Sequence, residues 1–173
     1  MHQVTKMLEQ NNYVRCLIID FTKVFDTVDH IILLSKLIQL NIPTFIVKWI
    51  CSFLSGRGQQ CKINGLLLNV ANIGLGIAQG SGIYPTLYIV MKSDLDTMSQ
   101  LNDMFEYADD TTLLVPEHSD IGIDIEVNHV KAWAAINGLT FNLNKTTEIV
   151  FSLTSKWTLM SSTYFLSVLS ACI

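Results

Sequence analysis

Two adjacent carboxylates, Asp109 and Asp110, are the side chains of this 173-residue chain whose types and spacing point most directly to chemistry. They end the tetrapeptide Tyr107-Ala108-Asp109-Asp110, whose apolar and β-branched flanks favour two short strands joined by a hairpin turn. At a hairpin tip both carboxylates can face one side, where a cation relieves their repulsion. Hard oxygen ligands of this kind suit Mg²⁺ or Mn²⁺. On the tetrapeptide alone, ordinary turn chemistry explains the pair equally well, because aspartate is frequent in turns.

A third carboxylate, Asp20, follows the mostly apolar segment 14–19, which is typical of a buried strand. If this strand pairs with the hairpin in one sheet, Asp20 meets the two hairpin carboxylates at one edge. Three converging carboxylates predict a site for two divalent ions about 3.5–4 Å apart, the arrangement that supports in-line phosphoryl transfer.

Several further blocks of sequence accompany these aspartates in a defined order along the chain. The blocks are residues 18–30, 49–57, 63–65, 76–81 with Pro85, 107–110, and, within 133–146, Trp133, 137–139 and 142–146. In this order they resemble the reverse transcriptase domain of non-LTR (LINE-type) retrotransposons, most of all the jockey and CR1 sort. The ordered set is far more specific than any single block. The Gln-Gly-Ser sequence at 79–81 argues against another metal-dependent phosphotransferase built on paired aspartates.

The resemblance implies the palm of a polymerase right hand, an α+β fold in which an antiparallel sheet has helices packed on one face. We expect strands at 13–20 and 146–152, hairpins at 59–73 and 103–115, and helices at 27–40, 44–54, 84–98 and 119–136. Asp26 or Thr27 is the expected cap of the first helix. The apolar faces of the last two helices are predicted to contain Leu87, Val90, Met91 and Leu95, and Ile125, Val127, Val130, Trp133 and Ala134.

The length and composition indicate one domain with a hydrophobic core, since half of the residues are hydrophobic and 15% are charged. We interpret residues 5–152 as a partial reverse transcriptase (palm) domain and residues 153–173 as a non-matching C-terminal tail. The net charge of −4 is unexpected for a nucleic-acid binder, because phosphate contacts need Lys and Arg. The resemblance implies that the basic fingers and thumb flank this part, so a truncated copy is expected.

The cysteines and the two ends of the chain indicate an intracellular protein, nuclear or cytoplasmic and not secreted. Cys16, Cys51, Cys61 and Cys172 form no Cys-x-x-Cys pair, and they are interpreted as buried thiols of a reducing compartment, with metal binding or disulfides as the weaker alternative. The N-terminus lacks the apolar core of a signal peptide. The uncharged stretch 157–173 is shorter than the roughly 20 residues that span a bilayer, so no membrane partner is expected.

The family resemblance implies a role for each charged side chain of the site. Asp20 and Asp109 bridge two Mg²⁺ or Mn²⁺ ions, and Asp110 completes the acidic set of metal ligands. The main-chain carbonyl of Phe21 is a further implied ligand. Lys145 protonates or neutralises the leaving pyrophosphate. A solvated loop lysine is an equal alternative for Lys145.

A second group of residues is implied to bind the substrates. The ring of Phe25 would exclude a ribose 2′-hydroxyl and so select deoxynucleotides; its alternative is an ordinary core residue. Gln79, Gly80 and Ser81 would contact the incoming nucleotide and the template, although Gly-Ser is also common in loops. Tyr107 would lie against the primer terminus or pack beneath the hairpin.

The function implied is that of an RNA-directed DNA polymerase, which uses an RNA template, a DNA primer and dNTPs. The alternative is a catalytically inactive remnant that lacks fingers and thumb and acts at most as a weak binding module. Three departures from the family pattern motivate this alternative: Val24 for alanine, Ala78 for proline and Tyr84 for glycine.

Overall fold

A five-stranded antiparallel sheet is the main element of the computed structural model, which describes residues 2–78, 80–152 and 158–160. The strand order is β11-β10-β1-β8-β7, with bounds β1 (Tyr13–Ile19), β7 (Asp103–Tyr107), β8 (Asp110–Pro116), β10 (Thr147–Ser152) and β11 (Thr158–Met160). The apolar strand β1 occupies the centre, where neighbours on both sides satisfy its backbone. Leu17 of β1 and Leu113 of β8 lie opposite each other and are fully buried. The predicted strands at 13–20 and 146–152 and the hairpin at 103–115 are therefore confirmed.

Three smaller two-stranded ladders also occur among the described residues. They pair β2 (Phe21–Thr22) with β9 (Thr140–Phe141), β3 (Gly58–Gln59) with β6 (Ala71–Asn72), and β4 (Lys62–Ile63) with β5 (Leu66–Leu67). Asn64 and Gly65 connect β4 to β5 with backbone φ angles of 49° and 85°. Positive φ at both central residues is the geometry of a tight hairpin turn, as this dipeptide predicts.

Six helices are described, and most agree with the sequence pattern. They are α1 (His2–Leu8), α2 (Val24–Thr27), α3 (His30–Gln39), α4 (Thr44–Leu54), α5 (Tyr84–Lys92) and α6 (Ile123–Ile136). The bounds of α4 coincide with the predicted helix. The short helices α1 and α2 were not predicted, because neither is long enough to show a clear apolar periodicity.

The predicted start of the helix at 27–40 is wrong. The cap is Asp29, whose carboxylate accepts hydrogen bonds from the N–H groups of Ile31 at 2.7 Å and Ile32 at 3.2 Å. Asp26 and Thr27 instead belong to α2, and Asp29, which begins the next helix as its cap, has extended backbone. Asp26, Thr27 and Asp29 are all residue types that cap helices, so the sequence alone does not decide which of them is the cap.

The later helices are shorter than predicted, but their buried faces largely agree with the prediction. Leu87 and Met91 are buried, Val90 is half-buried, and Leu95 is buried beyond the end of α5. In α6, Val127, Val130, Trp133 and Ala134 are buried. Ile125 is 54% exposed, so its predicted place on the buried face is wrong.

The chain forms two compact units. The first unit comprises residues 1–22, 95–136 and 140–173, and it contains the five-stranded sheet with α1 and α6. On one part of this sheet, Val4 of α1 packs in a buried cluster with Val14, Cys16 and Leu114. The second unit comprises residues 23–94 and 137–139 and contains α2 to α5. In this unit the buried Lys36 side chain donates to the Met91 carbonyl and pairs with Asp94.

Replacing Gly76 by alanine is expected to lower the free energy of unfolding by about 2 kcal/mol or more, because an L-residue is strained at positive φ. Gly76 has φ of 86°, and an added Cβ would lie 2.9 Å from the Asp26 carbonyl oxygen and 3.0 Å from that of Phe25. Both are backbone atoms, which cannot rotate away. Urea denaturation measures the change. Gly82→Ala is the matched control, since its Cβ would meet open space; equal midpoints for both variants would contradict the prediction.

The cysteine prediction holds for one residue and is wrong for two. Cys16 is buried, and desolvation raises the pKa of its thiol, so it is an inert core residue. Cys51 and Cys61 are exposed. Cys51 follows the buried Ile50 on a helix that buries only one side, and Cys61 lies beside an exposed hairpin. Cys172 lies outside the described residues. In the part of the chain that is described, none of the helices has the length and apolar character required to cross a membrane.

Candidate active site

The tip of the β7–β8 hairpin carries the two adjacent carboxylates. Tyr107 pairs with Asp110, which leaves Ala108 and Asp109 as the two residues of the turn. Ala108 has φ of 53°, a left-handed conformation that costs an alanine about 1–2 kcal/mol. Both aspartates are exposed. The turn therefore presents the Asp109 and Asp110 carboxylates to solvent at one end of the sheet.

Strand pairing brings Asp20 to the same end of the sheet. Strands β1 and β8 are antiparallel, and Ile19, the last residue of β1, lies opposite Thr111. Asp20 directly follows Ile19, and Asp110 directly precedes Thr111. Asp20 therefore lies at the same end of the sheet as Asp109 and Asp110, although residue 20 is far from the other two in sequence.

The three carboxylates have the ligand chemistry that Mg²⁺ or Mn²⁺ requires, but their side chains are not drawn together. Among the described residues no three His, Cys, Asp or Glu side chains form a group that could hold a metal ion. Donor type and position at one end of the sheet are thus the two features that fit a divalent metal.

Asn142 holds the Asp20 side chain, a role that sequence analysis did not identify. Its Nδ2 donates to Asp20 Oδ2 at 2.7 Å, and its backbone N–H donates to the Asp20 carbonyl at 2.8 Å. The Thr146 hydroxyl accepts from the Asp20 N–H at 3.4 Å and donates to the Asn142 carbonyl at 2.8 Å. The segment 142–146 therefore fixes the end of β1. The only signal in the sequence was its membership of the matching block 133–146.

Replacing Asn142 by leucine is expected to weaken Mn²⁺ binding about tenfold, the usual effect of removing a group that orients a metal ligand. The change keeps the number and branching of the side-chain heavy atoms but removes the donor that holds Asp20 Oδ2. Titration calorimetry measures the affinity. Asn144→Leu, in the same turn and exposed, serves as the control. An unchanged affinity in the folded Asn142→Leu protein would show that this bond does not position Asp20.

Two other predicted residues of this unit adjoin the same segment. Phe21 is buried, and its ring lies 6.2 Å from that of Trp133 and 6.0 Å from that of Phe141. Trp133 is thus a core residue, as expected. Lys145 is exposed in the turn after Asn142, and its N–H donates to the Asn142 carbonyl at 3.3 Å. Lys145 therefore belongs to the segment 142–146, which contacts Asp20.

Tyr107 precedes the two turn residues and is 84% exposed. Its ring therefore does not pack beneath the hairpin, which was one of the two alternatives from sequence. An exposed aromatic ring next to the carboxylates remains available for stacking against a ligand.

The remaining predicted substrate residues belong to the second unit. The ring of Phe25 is half-buried and packs against two tyrosine rings. Its centroid lies 4.6 Å from that of Tyr84 and 4.9 Å from that of Tyr88. Gly80 has φ of 83°, and the Ser81 hydroxyl donates to the Ala78 carbonyl at 2.9 Å. Gln79 lies outside the described residues.

The three departures from the family pattern also lie in this unit. Val24 is buried, Ala78 accepts the hydrogen bond from Ser81, and Tyr84 is the first residue of α5 with its ring against Phe25. Each substituted residue is therefore accommodated by the local structure.

Comparison with protein families and curated sequences gives a consistent result. Residues 1–166 match the family model described as reverse transcriptase (RNA-dependent DNA polymerase). The chain is 29% identical over 158 residues to the RNA-directed DNA polymerase from mobile element jockey of Drosophila melanogaster. It is 27% identical over 157 residues to the jockey protein of Drosophila funebris. Each match covers 84% of this chain but only 17% of the relative, so the chain spans about a sixth of their length.

Solved structures show the same fold. A telomerase from Candida tropicalis, in complex with a fragment of telomeric RNA, superposes with a TM-score of 0.67 at 12% identity. The match covers 90% of this chain and 29% of the telomerase. An apo telomerase from the same organism, truncated from its C-terminal domain, gives a TM-score of 0.63 at 14% identity and covers 92% of this chain and 36% of that one. At these identities the likeness concerns the fold alone, and it confirms the right-hand polymerase class.

Proposed function

Since the chain belongs to the reverse transcriptase family, we propose that it is the palm of an RNA-directed DNA polymerase from a non-LTR retrotransposon. The reaction is transfer of a nucleotide from a dNTP to the 3′-hydroxyl of a DNA primer, directed by an RNA template. The observation that carries the proposal is the strand register. Ile19 opposite Thr111 brings Asp20 to the end of the sheet that holds Asp109 and Asp110.

Asp20, Asp109 and Asp110 are the residues that would hold two Mg²⁺ or Mn²⁺ ions. The chemistry that such ions supply when bound is activation of the primer hydroxyl and neutralisation of the leaving pyrophosphate. Asn142 supports this arrangement, because it orients Asp20 through one oxygen and leaves the other oxygen for a ligand. The exposed position of Asp109 and Asp110 at a sheet end also allows a long polymer substrate to approach.

The other residues of the proposal act on the substrates. Lys145 carries a proton on Nζ that neutralises or protonates pyrophosphate as it leaves. The Phe25 ring excludes the 2′-hydroxyl of a ribonucleotide. Gln79, Gly80 and Ser81 contact the incoming nucleotide and template, and the exposed Tyr107 ring lies against the primer terminus. Because RNA templates, DNA primers and dNTPs occur inside the cell, the proposed reaction takes place in the cytoplasm or the nucleus.

Primer extension tests the proposal directly. The purified chain is incubated with a labelled DNA primer annealed to an RNA template, dNTPs and Mg²⁺ or Mn²⁺. We expect template-dependent extension that is lost in Asp110→Asn. Absence of extension in the wild-type protein, with Mn²⁺ binding retained, would favour the inactive remnant instead. Extension that persists unchanged in Asp110→Asn would contradict the assignment of this carboxylate.

A further inference from the structure

Helix α4 exposes a row of aromatic side chains on a different side from its buried residues. Phe45, Trp49 and Phe53 follow one another at intervals of four residues, which places them on one helix face. Phe45 is 73% exposed, Trp49 is 56% exposed and Phe53 is half-buried, whereas Ile50 and Leu54 of the same helix are buried. Large aromatic rings in solvent carry a cost in hydration, so a contiguous row of them indicates a binding surface.

Two rings of this row stack on each other, and the guanidinium group of Arg57 packs on the second of them. The rings of Trp49 and Phe53 are nearly parallel, with centroids 5.9 Å apart and planes inclined by 20°. The guanidinium carbon of Arg57 lies 4.3 Å from the centroid of the Phe53 ring. We call Phe45, Trp49, Phe53 and Arg57 the α4 aromatic face. Because Trp49, Phe53 and Arg57 pack on one another, these flat groups are held in position before any ligand arrives.

The charge around this face is positive, in contrast to the chain as a whole. Residues 30–93 contain five Lys or Arg and no Asp or Glu, although the full chain carries a net charge of −4. Lys36 and Lys92 are buried, so the basic groups that a ligand can reach in this range are those of Lys48, Arg57 and Lys62. The second unit has six Lys or Arg against three Asp. Lys48 is exposed on α4 next to Trp49, and Arg57 belongs to the face itself. A polyanion is therefore attracted to this unit and repelled by the acidic remainder.

From these observations we infer that the α4 aromatic face binds single-stranded RNA. Stacked rings give unpaired bases a surface that is tolerant of sequence, and neighbouring cations hold the phosphates. A base-paired duplex offers no free base faces, so the face selects unpaired segments. The choice of RNA over DNA rests on the proposed function, in which the template is RNA.

Binding of a fluorescein-labelled 12-nucleotide oligo(U) tests the inference by fluorescence anisotropy, in EDTA so that no metal contributes. Trp49→Ala is expected to weaken binding about fivefold or more, the loss that follows removal of one stacking ring. Trp49→Tyr, which keeps a flat π face, should restore affinity to within about twofold. Ile89→Ala is the matched control, because Ile89 is an exposed apolar residue on α5 in the same unit and should leave affinity unchanged. Circular dichroism verifies the fold of each variant.

The salt dependence tests the cation separately from the rings. Arg57→Gln should reduce the slope of log affinity against log salt concentration by about 0.7, the contribution of one phosphate contact on a single strand. Lys62→Gln, a basic residue on the exposed β4 hairpin outside the face, is the control and should change the slope less.

Three results would overturn the inference. One is equal oligo(U) affinity in the wild-type protein and Trp49→Ala, or no binding by either. Another is binding of oligo(dT) without oligo(U). The third is a concentration-dependent dimer that Trp49→Ala abolishes while RNA affinity stays the same, which would make the face a protein contact. RNA binding in EDTA should survive Asp109→Asn, so failure of this inference and failure of the polymerase proposal are distinguishable.

Discussion

Replacing Asp109 by asparagine should lower the rate of primer extension by about 10³-fold, since a metal ligand supports several kcal/mol of transition-state stabilisation and each 1.36 kcal/mol is a factor of ten. Asparagine preserves the shape of the side chain and removes its charge. Asp109 lies in the exposed two-residue turn, so the change should leave the fold intact. Mn²⁺ affinity measured by calorimetry should fall together with activity.

The control for this experiment is Asp96→Asn, an exposed aspartate of the same unit that lies outside the sheet. Both substitutions change the net charge by the same amount. A difference in activity between the two variants therefore reports the position of the lost carboxylate and not the change in net charge. Full activity in the Asp96 variant and loss in the Asp109 variant is the expected pair of results. Equal activity in the two variants would exclude Asp109 from the reaction.

The second large effect is expected from Glu126→Ala, which should lower the free energy of unfolding by about 3 kcal/mol. Glu126 is completely buried in α6. Its carboxylate accepts three hydrogen bonds. The donors are the backbone N–H groups of Met98 at 3.0 Å and Ser99 at 3.1 Å, and Nδ2 of Asn102 at 2.8 Å. Alanine would leave these donors without their acceptor, and each buried unsatisfied donor costs about 1–3 kcal/mol.

The anchored loop leads directly into β7 and so into the hairpin that carries Asp109. Loss of Glu126 should therefore reduce primer extension as well as stability, because the hairpin loses its support. Urea denaturation followed by circular dichroism measures the change in stability. Asn128→Ala, on the exposed side of the same helix, should shift the midpoint little. Similar midpoints for both variants would show that the loop does not depend on Glu126.

The local signals in the sequence were sufficient to identify most of the secondary structure. The apolar run before Asp20 predicted β1, Asn64-Gly65 predicted the tight turn, and the helix at 44–54 was bounded correctly. These features depend on residues close together in the chain, so pattern and propensity capture them. The order of the family blocks also singled out the three aspartates, and the register of β1 against β8 brings them to one end of the sheet.

Contacts between distant parts of the chain were decided only by the tertiary structure. Asn142 donates to Asp20 across 122 residues of sequence. Glu126 accepts hydrogen bonds from backbone N–H groups 27 and 28 residues earlier and from the side-chain amide of Asn102, 24 residues earlier. The exposure of Cys51 and Tyr107, and the aromatic face of α4, likewise depend on which surfaces other elements cover. The composition of a segment specifies which groups it can offer, but strand register and helix packing determine the partners those groups meet. For this reason the position of the three carboxylates at one end of the sheet was predictable from sequence, while the contact of Asn142 with Asp20 was not.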